Sequence, residues 1–223
     1  MSNDLRLILF DVDGTLADSQ GAITSAMAAA FAGAGLAVPT RDQILSIVGL
    51  SLPLAIAELA PGQPADTRAA VVEGYKAAYK TARLAAGAGH SPLYPGAAET
   101  LAALNAVPEL LLGVATGKSQ RGLDALIEAH ALRCFVTRQC ADHHPSKPHP
   151  SMVLRAMAET GVRAENTVMI GDTSFDIDMG RAAGVQTIAV DWGFHPAERL
   201  GADHIVTDFA ELRDLLLNGL WKG

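Results

Sequence analysis

The sequence predicts an α/β protein: a doubly wound parallel sheet with an all-α segment inserted after the first strand. Three observations predict it. Short apolar runs recur along the chain, each followed by a helical pattern, and that alternation builds parallel sheets with helices on both faces. Asp11, Thr116, Asp172 and Asp191 each end or follow such a run, where ligands gather in sheets of this kind. The stretch from Asp13 to Thr116 is far longer than one crossover, because a βαβ unit needs only about 30 residues.

The strand-like runs, in order, are LRLILF (5–10), ELLLGVAT (109–116), NTVMIGD (166–172), VQTIAVD (185–191) and DHIVTD (203–208). Helical patterns between and after them run from Ser119 to Ala131, Pro150 to Thr160, Phe175 to Ala183 and Phe209 to Leu217. The inserted stretch reads as SQGAITSAMAAAFAGAG, RDQILSIVG, LPLAIAELA and TRAAVVEGYKAAYKTARLAA, punctuated by Pro61-Gly62 and Pro64 and closed by AAGAGHSPLYPG. The expected division is therefore a core of residues 1–16 and 94–223 and a helical unit of residues 17–93. The many alanines reflect helix propensity and carry no functional signal.

The chain has 223 residues, 49% of them apolar, a net charge of -7 and a pI near 5.4. This balance excludes a general nucleic-acid surface, which needs a basic face. It does not exclude an anionic substrate, because a bound metal and one lysine outweigh the global field locally. Cys134 and Cys140 lack metal-type pairing and read as free thiols of a reducing compartment. The start, MSNDLRLILF, has no long apolar region and so no signal peptide. No apolar run nears the roughly 20 residues of a membrane span. A cytoplasmic protein is expected, monomer or homodimer, with no nucleic-acid or membrane partner.

The stretch DVDGT, 11–15, places two carboxylates one residue apart at a strand end. Side chains alternate along a strand, so Asp11 and Asp13 can project to one side while Phe10 and Val12 face the other. Two such charges repel and desolvate poorly, which calls for a cation between them. The plain alternative is a strand end with a turn. The chemical reading makes Asp11 a nucleophile that also binds Mg²⁺ and Asp13 a general acid/base. Gly14 then lets the backbone approach a phosphate.

GVATGKSQ, 113–120, resembles the end of a P-loop, but the first position of that pattern falls on Leu112, with Gly113 one residue late. What stays open is a phosphate contact by the Thr116 hydroxyl and backbone N–H groups around Gly117 at a helix start, or a plain helix start capped by Ser119. Lys118 reads as a solvated surface lysine. In DHHPSKPHPSM, 142–152, the residues His143, His144 and His149 lack zinc-site spacing. Lys147, on a proline-stiffened loop, is the better candidate, as a charge that neutralises a nucleophile and a transferring phosphoryl group. In MIGDTSFDIDMG, 169–180, Asp172 ends a strand and Asp176 lies one turn into the next helix. The pair fits a hard-cation site. Asp178 fits ordinary helix-start chemistry.

Taken together, these residues resemble a haloacid-dehalogenase superfamily phosphatase over nearly the whole length. DVDGT, Thr116 in VATGK, Lys147 in SKPHP and GDTSFD match the family's four motifs in order. The resemblance implies a Rossmann-like core and a helical cap of the C1 class. It further implies Asp11 as nucleophile, Asp13 as acid/base and backbone-carbonyl ligand, and Mg²⁺ at Asp11, Asp13 and Asp172, supported by Asp176. DGTLADS, LYPGAAETL and DWGFHP are similar to segments of phosphoglycolate phosphatases. The expected activity is Mg²⁺-dependent hydrolysis of a small anionic phosphorylated metabolite, phosphoglycolate or a sugar phosphate. Gly49 and Ser51 are the candidate cap residues at the substrate. His143-His144-Pro145 departs from the family pattern before Lys147. Asp13 argues against a dehalogenase, which has no alkoxide to protonate. A phosphomutase needs a cap that holds a bisphosphate, and the inserted segment offers few basic residues for one. A receiver-like phospho-aspartate module does not explain the long insertion. A non-catalytic module does not explain four intact motifs.

Overall fold

A computed structural model describes residues 5–221. Residues 1–4, on which the signal-peptide argument partly rests, lie outside it. Strand β1 (Arg6–Phe10) leads into four helices, α1 (Gln20–Gly33), α2 (Arg41–Leu45), α3 (Leu52–Leu59) and α4 (Ala65–Ala86). Then come α5 (Ala97–Asn105), β2 (Leu110–Thr116), α6 (Gln120–Ala129), β3 (Phe135–Cys140) and α7 (Ser151–Thr160). The chain continues through β4 (Thr167–Gly171), α8 (Ser174–Ala182), β5 (Gln186–Val190), β6 (His204–Val206) and α9 (Phe209–Asp214).

All strands pair in parallel, in the order β3-β2-β1-β4-β5-β6. The order reverses at β1, whose Phe10 lies in register with both Val114 and Ile170. The crevice beyond the carboxyl ends of β1 and β4 is thus the switch point where such sheets bind ligands. Alternation along β1 splits the core. Ile8 and Phe10 pack with Leu101, Leu123 and Phe209 on one face, and Leu7 and Leu9 pack with Met152, Val153 and Met179 on the other. The helices between β1 and α5 form their own apolar cluster around Met27, Phe31, Ile44, Ile56 and Val71.

Two elements depart from the sequence reading. Strand β3, FVTRQC, is absent from it because it is an edge strand. Val136 and Arg138 face solvent while Phe135, Thr137 and Gln139 are buried, so no continuous apolar run marks it. Helix α5 was also missed. Its buried residues Ala97, Thr100, Leu101 and Leu104 have the helical spacing, but the segment is short and follows the glycine-rich turn directly. Ser119 caps α6 as expected, accepting from the Gly122 N–H. Both cysteines are free. No helix among the described residues is long and apolar enough to cross a membrane.

Helix α8 lies close to the sheet because Gly180 has no side chain. A Cβ there would meet Thr187 Cγ2 at 2.7 Å and Met169 Cβ at 3.1 Å, whereas one at Gly21 in α1 would meet nothing within 4 Å. Urea denaturation should therefore show Gly180→Ala destabilised by roughly 1–3 kcal/mol through overpacking. Gly21→Ala should be stabilised by up to about 1 kcal/mol through helix propensity. Equal effects at the two positions would contradict this packing.

Candidate active site

Four neighbouring strands deliver their carboxyl ends to one place. Asp11 follows β1, Thr116 ends β2, Lys147 lies in the loop after β3, and Asp172 follows β4. The Asp11 N–H donates to the Ile170 carbonyl at 2.9 Å, which locks Asp11 beside Asp172. Asp11, Asp172, Asp176, Lys147 and Thr116 are all buried, at 1% exposure or less.

Lys147 is the counter-ion of this group. Its Nζ lies 2.6 Å from Asp176 Oδ1 and 2.9 Å from Asp11 Oδ1. Burial works against its charge, but the two carboxylates outweigh burial and hold its pKa above the ordinary lysine value. Asp176 is fixed from its other oxygen: Oδ2 accepts from the Thr173 N–H at 3.1 Å and from the Thr173 hydroxyl at 2.7 Å. The second half of the capping box of α8 thus also positions a buried charge.

Asp172 is held by residues that the sequence reading did not single out. Oδ1 accepts from the Thr15 hydroxyl at 2.7 Å and Oδ2 from the Phe194 N–H at 2.9 Å. The DWGFHP loop therefore wraps this carboxylate, and Trp192 Nε1 donates to the Thr15 carbonyl at 3.1 Å. Gly14 has φ +81°, and a Cβ there would lie 2.2 Å from Asp172 Oδ2. The glycine of DVDGT is required by Asp172 itself, in addition to any phosphate. A residue-type signal for Thr15 existed in the motif; its partner could not be read without the sheet order.

Asp13 goes elsewhere. Its Oδ1 lies 2.8 Å from Lys118 Nζ, whose side chain is only 8% exposed. Lys118 is therefore no solvated surface lysine. Its ammonium also donates to Tyr79 Oη of α4 at 3.1 Å and sits 5.1 Å from that ring's centre. The chain leaves β1 at Phe10, so strict alternation no longer holds at Asp13, and the two carboxylates separate onto two lysines. Burial disfavours the Lys118 charge, yet Asp13 raises its pKa above the ordinary value.

A cavity of about 330 Å³ opens on Asp11 and Asp13. Gly49, Leu50 and Ser51 of the α2–α3 turn line it, as do Gly117 and Lys118. The Ser51 N–H donates to Ser146 Oγ at 2.8 Å, next to Lys147. Gly117 lies so close to the Gly49 carbonyl that a Cβ would approach it to 2.6 Å. The inserted helices therefore rest directly on the loops that carry Thr116 and Lys147. Two of the three loop histidines have other partners. His144 hydrogen-bonds Ser151 Oγ and Gln139 Oε1 at 2.8 and 2.9 Å, and His149 Nδ1 accepts from the Ser151 N–H.

Among the described residues, Asp11, Asp172 and Asp176 alone bring carboxylate, imidazole or thiol ligand atoms close enough together to hold a metal ion. The group fits a hard cation on two counts. Three buried carboxylates meet one lysine, and Asp11 Oδ2 has no hydrogen-bond partner. Burial, outweighing the Lys147 attraction and reinforced by Asp176 and Asp13, pushes the Asp11 carboxyl up to about 7. Burial, then Asp176 and Asp11, raise Asp172 well above the carboxylate range. Added positive charge would reverse both shifts.

Fold and site together define a doubly wound sheet with a buried aspartate–lysine centre at its switch point. The profile of the haloacid dehalogenase-like hydrolases matches residues 8–190, and the chain belongs to that family. It is 35% identical to a protein of Dickeya dadantii named "Probable phosphatase IndB", over 92% of this chain and 91% of the other. It is 34% identical to a phosphoglycolate phosphatase of Chromobacterium violaceum, over 96% and 98% of the two chains. It is also 34% identical to an N-acetylmuramic acid 6-phosphate phosphatase of Pseudomonas aeruginosa, over 95% of each. Among solved structures, a haloacid dehalogenase-like family hydrolase from Streptococcus pneumoniae superposes with a TM-score of 0.82 at 24% identity, over 97% of this chain and 100% of the other.

Without a cation, Asp11 binds its proton more tightly folded than unfolded. The stability it contributes is fully present below the unfolded value near 3.8 and is lost as pH rises through about 7. In EDTA, Asp11→Asn should therefore gain stability relative to the wild type as pH rises from about 4 to about 7, and saturating Mg²⁺ should shrink that difference. Parallel pH profiles of the two proteins, measured by urea denaturation, would refute this.

Proposed function

We propose that this chain is a Mg²⁺-dependent phosphatase of small phosphomonoesters, working through an aspartyl-phosphate at Asp11. One observation carries the reading: Asp11 lines the cavity, is paired with Lys147 at 2.9 Å, and has an Oδ2 that accepts no hydrogen bond. That oxygen is free to attack phosphorus. Asp11, Asp172 and Asp176 are the residues that would hold Mg²⁺, and Mg²⁺ bound there would supply charge neutralisation and polarisation of a phosphoryl oxygen. The Asp13 backbone carbonyl is the further ligand that the family pattern implies.

The residues divide the remaining work. Lys147 offsets the negative charge of Asp11 and of the transferring group. The Thr116 hydroxyl and the N–H groups of the Gly117 turn hold phosphoryl oxygens, and Gly14, without a side chain, leaves room for the phosphate to approach. Attack by Asp11 forms the Asp–O–P bond and breaks the P–O bond to the alcohol. Asp13 gives its proton to the departing alkoxide, then takes one from the water that attacks the acyl-phosphate. That second displacement breaks the Asp–O–P bond and releases phosphate. Lys118 and Tyr79 keep the Asp13 carboxyl aimed across the cavity.

We take residues 17–93 as a cap over a core of residues 1–16 and 94–223, with Gly49 and Ser51 at the substrate. Closure of such a cap excludes water from the acyl-phosphate and shuts out phosphoproteins and polynucleotides. Phosphoglycolate is a candidate substrate through relatives named for it, and a sugar phosphate through others.

Turnover should require Mg²⁺ and be abolished by EDTA, and excess Ca²⁺ should inhibit, because its looser coordination misplaces the nucleophile. Asp11→Asn should fold yet lose essentially all turnover. Asp13→Asn should lose roughly 10²–10⁴-fold, and least with p-nitrophenyl phosphate, whose leaving group needs no proton. Steady-state kinetics on the three proteins decides the matter: near wild-type rates for Asp11→Asn would rule out the covalent route.

A further inference from the structure

The cavity holds more than a phosphate. At about 330 Å³ it reaches the range of roughly 300–1,000 Å³ that encloses drug-sized ligands. Phosphoglycolate, with about nine non-hydrogen atoms, would leave much of it to water, at about 30 Å³ per molecule. Its wall is apolar, with Ile23, Met27, Val48 and Leu52 among the lining residues. On the other side it is basic. Helix α4 presents Lys76, Lys80 and Arg83 to it, and the first turn of α6 adds Arg121. The α4 residues 76, 80 and 83 share one helix face with Tyr79. The expectation that the inserted segment offers few basic residues is thus corrected at the one face where it matters.

Of these four cations, only Lys76 is paired with a carboxylate among the described residues. Lys76 pairs with Glu73 at 2.7 Å. Lys80, Arg83 and Arg121 have no carboxylate within ion-pair distance among the described residues. Apart from Asp11 and Asp13, the single carboxylate on the cavity wall is Asp142, which accepts from the Gln120 N–H at 2.8 Å. Three uncompensated cations converge on one cavity of a chain whose net charge is -7.

Chemistry sets the direction of the substrate. The ester oxygen must face Asp13, which protonates it, so the alcohol extends away from Asp11. Beyond Asp13 come Lys118 and then Tyr79 of α4, each in contact with the last. Arg83 lies one helical turn past Tyr79, about 6 Å along the axis, and Arg121 lies nearly one turn past Lys118. We propose that Lys80, Arg83 and Arg121 form a subsite for a second anion, a carboxylate or phosphate, on a phosphomonoester whose sugar-sized body fills the space between. The proposal rests on the phosphatase reading above.

The test compares matched esters with Mg²⁺ present. N-acetylmuramic acid 6-phosphate differs from N-acetylglucosamine 6-phosphate by a carboxylate-bearing ether, and glucose 1,6-bisphosphate differs from glucose 6-phosphate by one phosphate. For at least one pair, the wild-type ratio of kcat/KM, the ester with the second anion over its partner, should exceed about tenfold and fall with rising salt. That ratio should drop towards one in the Arg83→Gln, Arg121→Gln double variant, with far-UV circular dichroism confirming its fold. The pair that responds identifies the anion. A wild-type ratio near one in both pairs, or a ratio that survives the double substitution, overturns the subsite and leaves the phosphatase standing. A wild type that fails to hydrolyse even p-nitrophenyl phosphate overturns the phosphatase reading, and the subsite with it.

Discussion

The site depends on one buried ammonium. Lys147 sits between Asp11 and Asp176 with almost no exposure, and without it three carboxylates would share an interior that cannot solvate them. Removing one partner from a buried pair costs on the order of 3–5 kcal/mol, because the remaining charge is left uncompensated. One lysine is too little for three carboxylates, however: burial, reinforced by Asp176 and Asp13, outweighs the Lys147 attraction and pushes Asp11 up to about 7. The fold therefore gathers more negative than positive charge at this point, an arrangement that suits a hard cation.

Around that centre the anions are sorted by partner. Asp176 is fixed by the start of α8, Asp172 by Thr15 and the loop after β5, and Asp13 by Lys118. Asp11 and Asp176 share Lys147, while Asp172 and Asp13 are held by other partners. Asp11 keeps Oδ2 buried and without a hydrogen-bond partner.

How legible this was in the sequence depended on what each residue's environment announced. Apolar runs exposed the central strands β1, β2 and β4, because buried parallel strands need side chains on both faces to be apolar. The edge strand β3 carried Thr137, Arg138 and Gln139 and gave no such signal. Asp11, Lys147 and Asp172 stood out by position, at strand ends or on a stiff loop. Lys118 was misjudged because its neighbours in sequence are small and polar, whereas its burial comes from α4, about forty residues earlier. The hold on Asp172 by Phe194 links residues 22 apart through a backbone N–H, a donor that every residue type except proline carries and that no side-chain pattern reveals.

Helix α4 makes this architecture easy to rewrite. Only Val71 and Val72 along its length are buried, so most of its surface is unconstrained by packing. Under the proposed function, the α4 residues that line the cavity can be exchanged with little loss of stability, while the carboxylates and lysines assigned to bond cleavage stay in the sheet loops. Recognition and bond cleavage thus drift on separate clocks. A gene duplication followed by a few changes on one helical face is enough to carry the same reaction to a new metabolite.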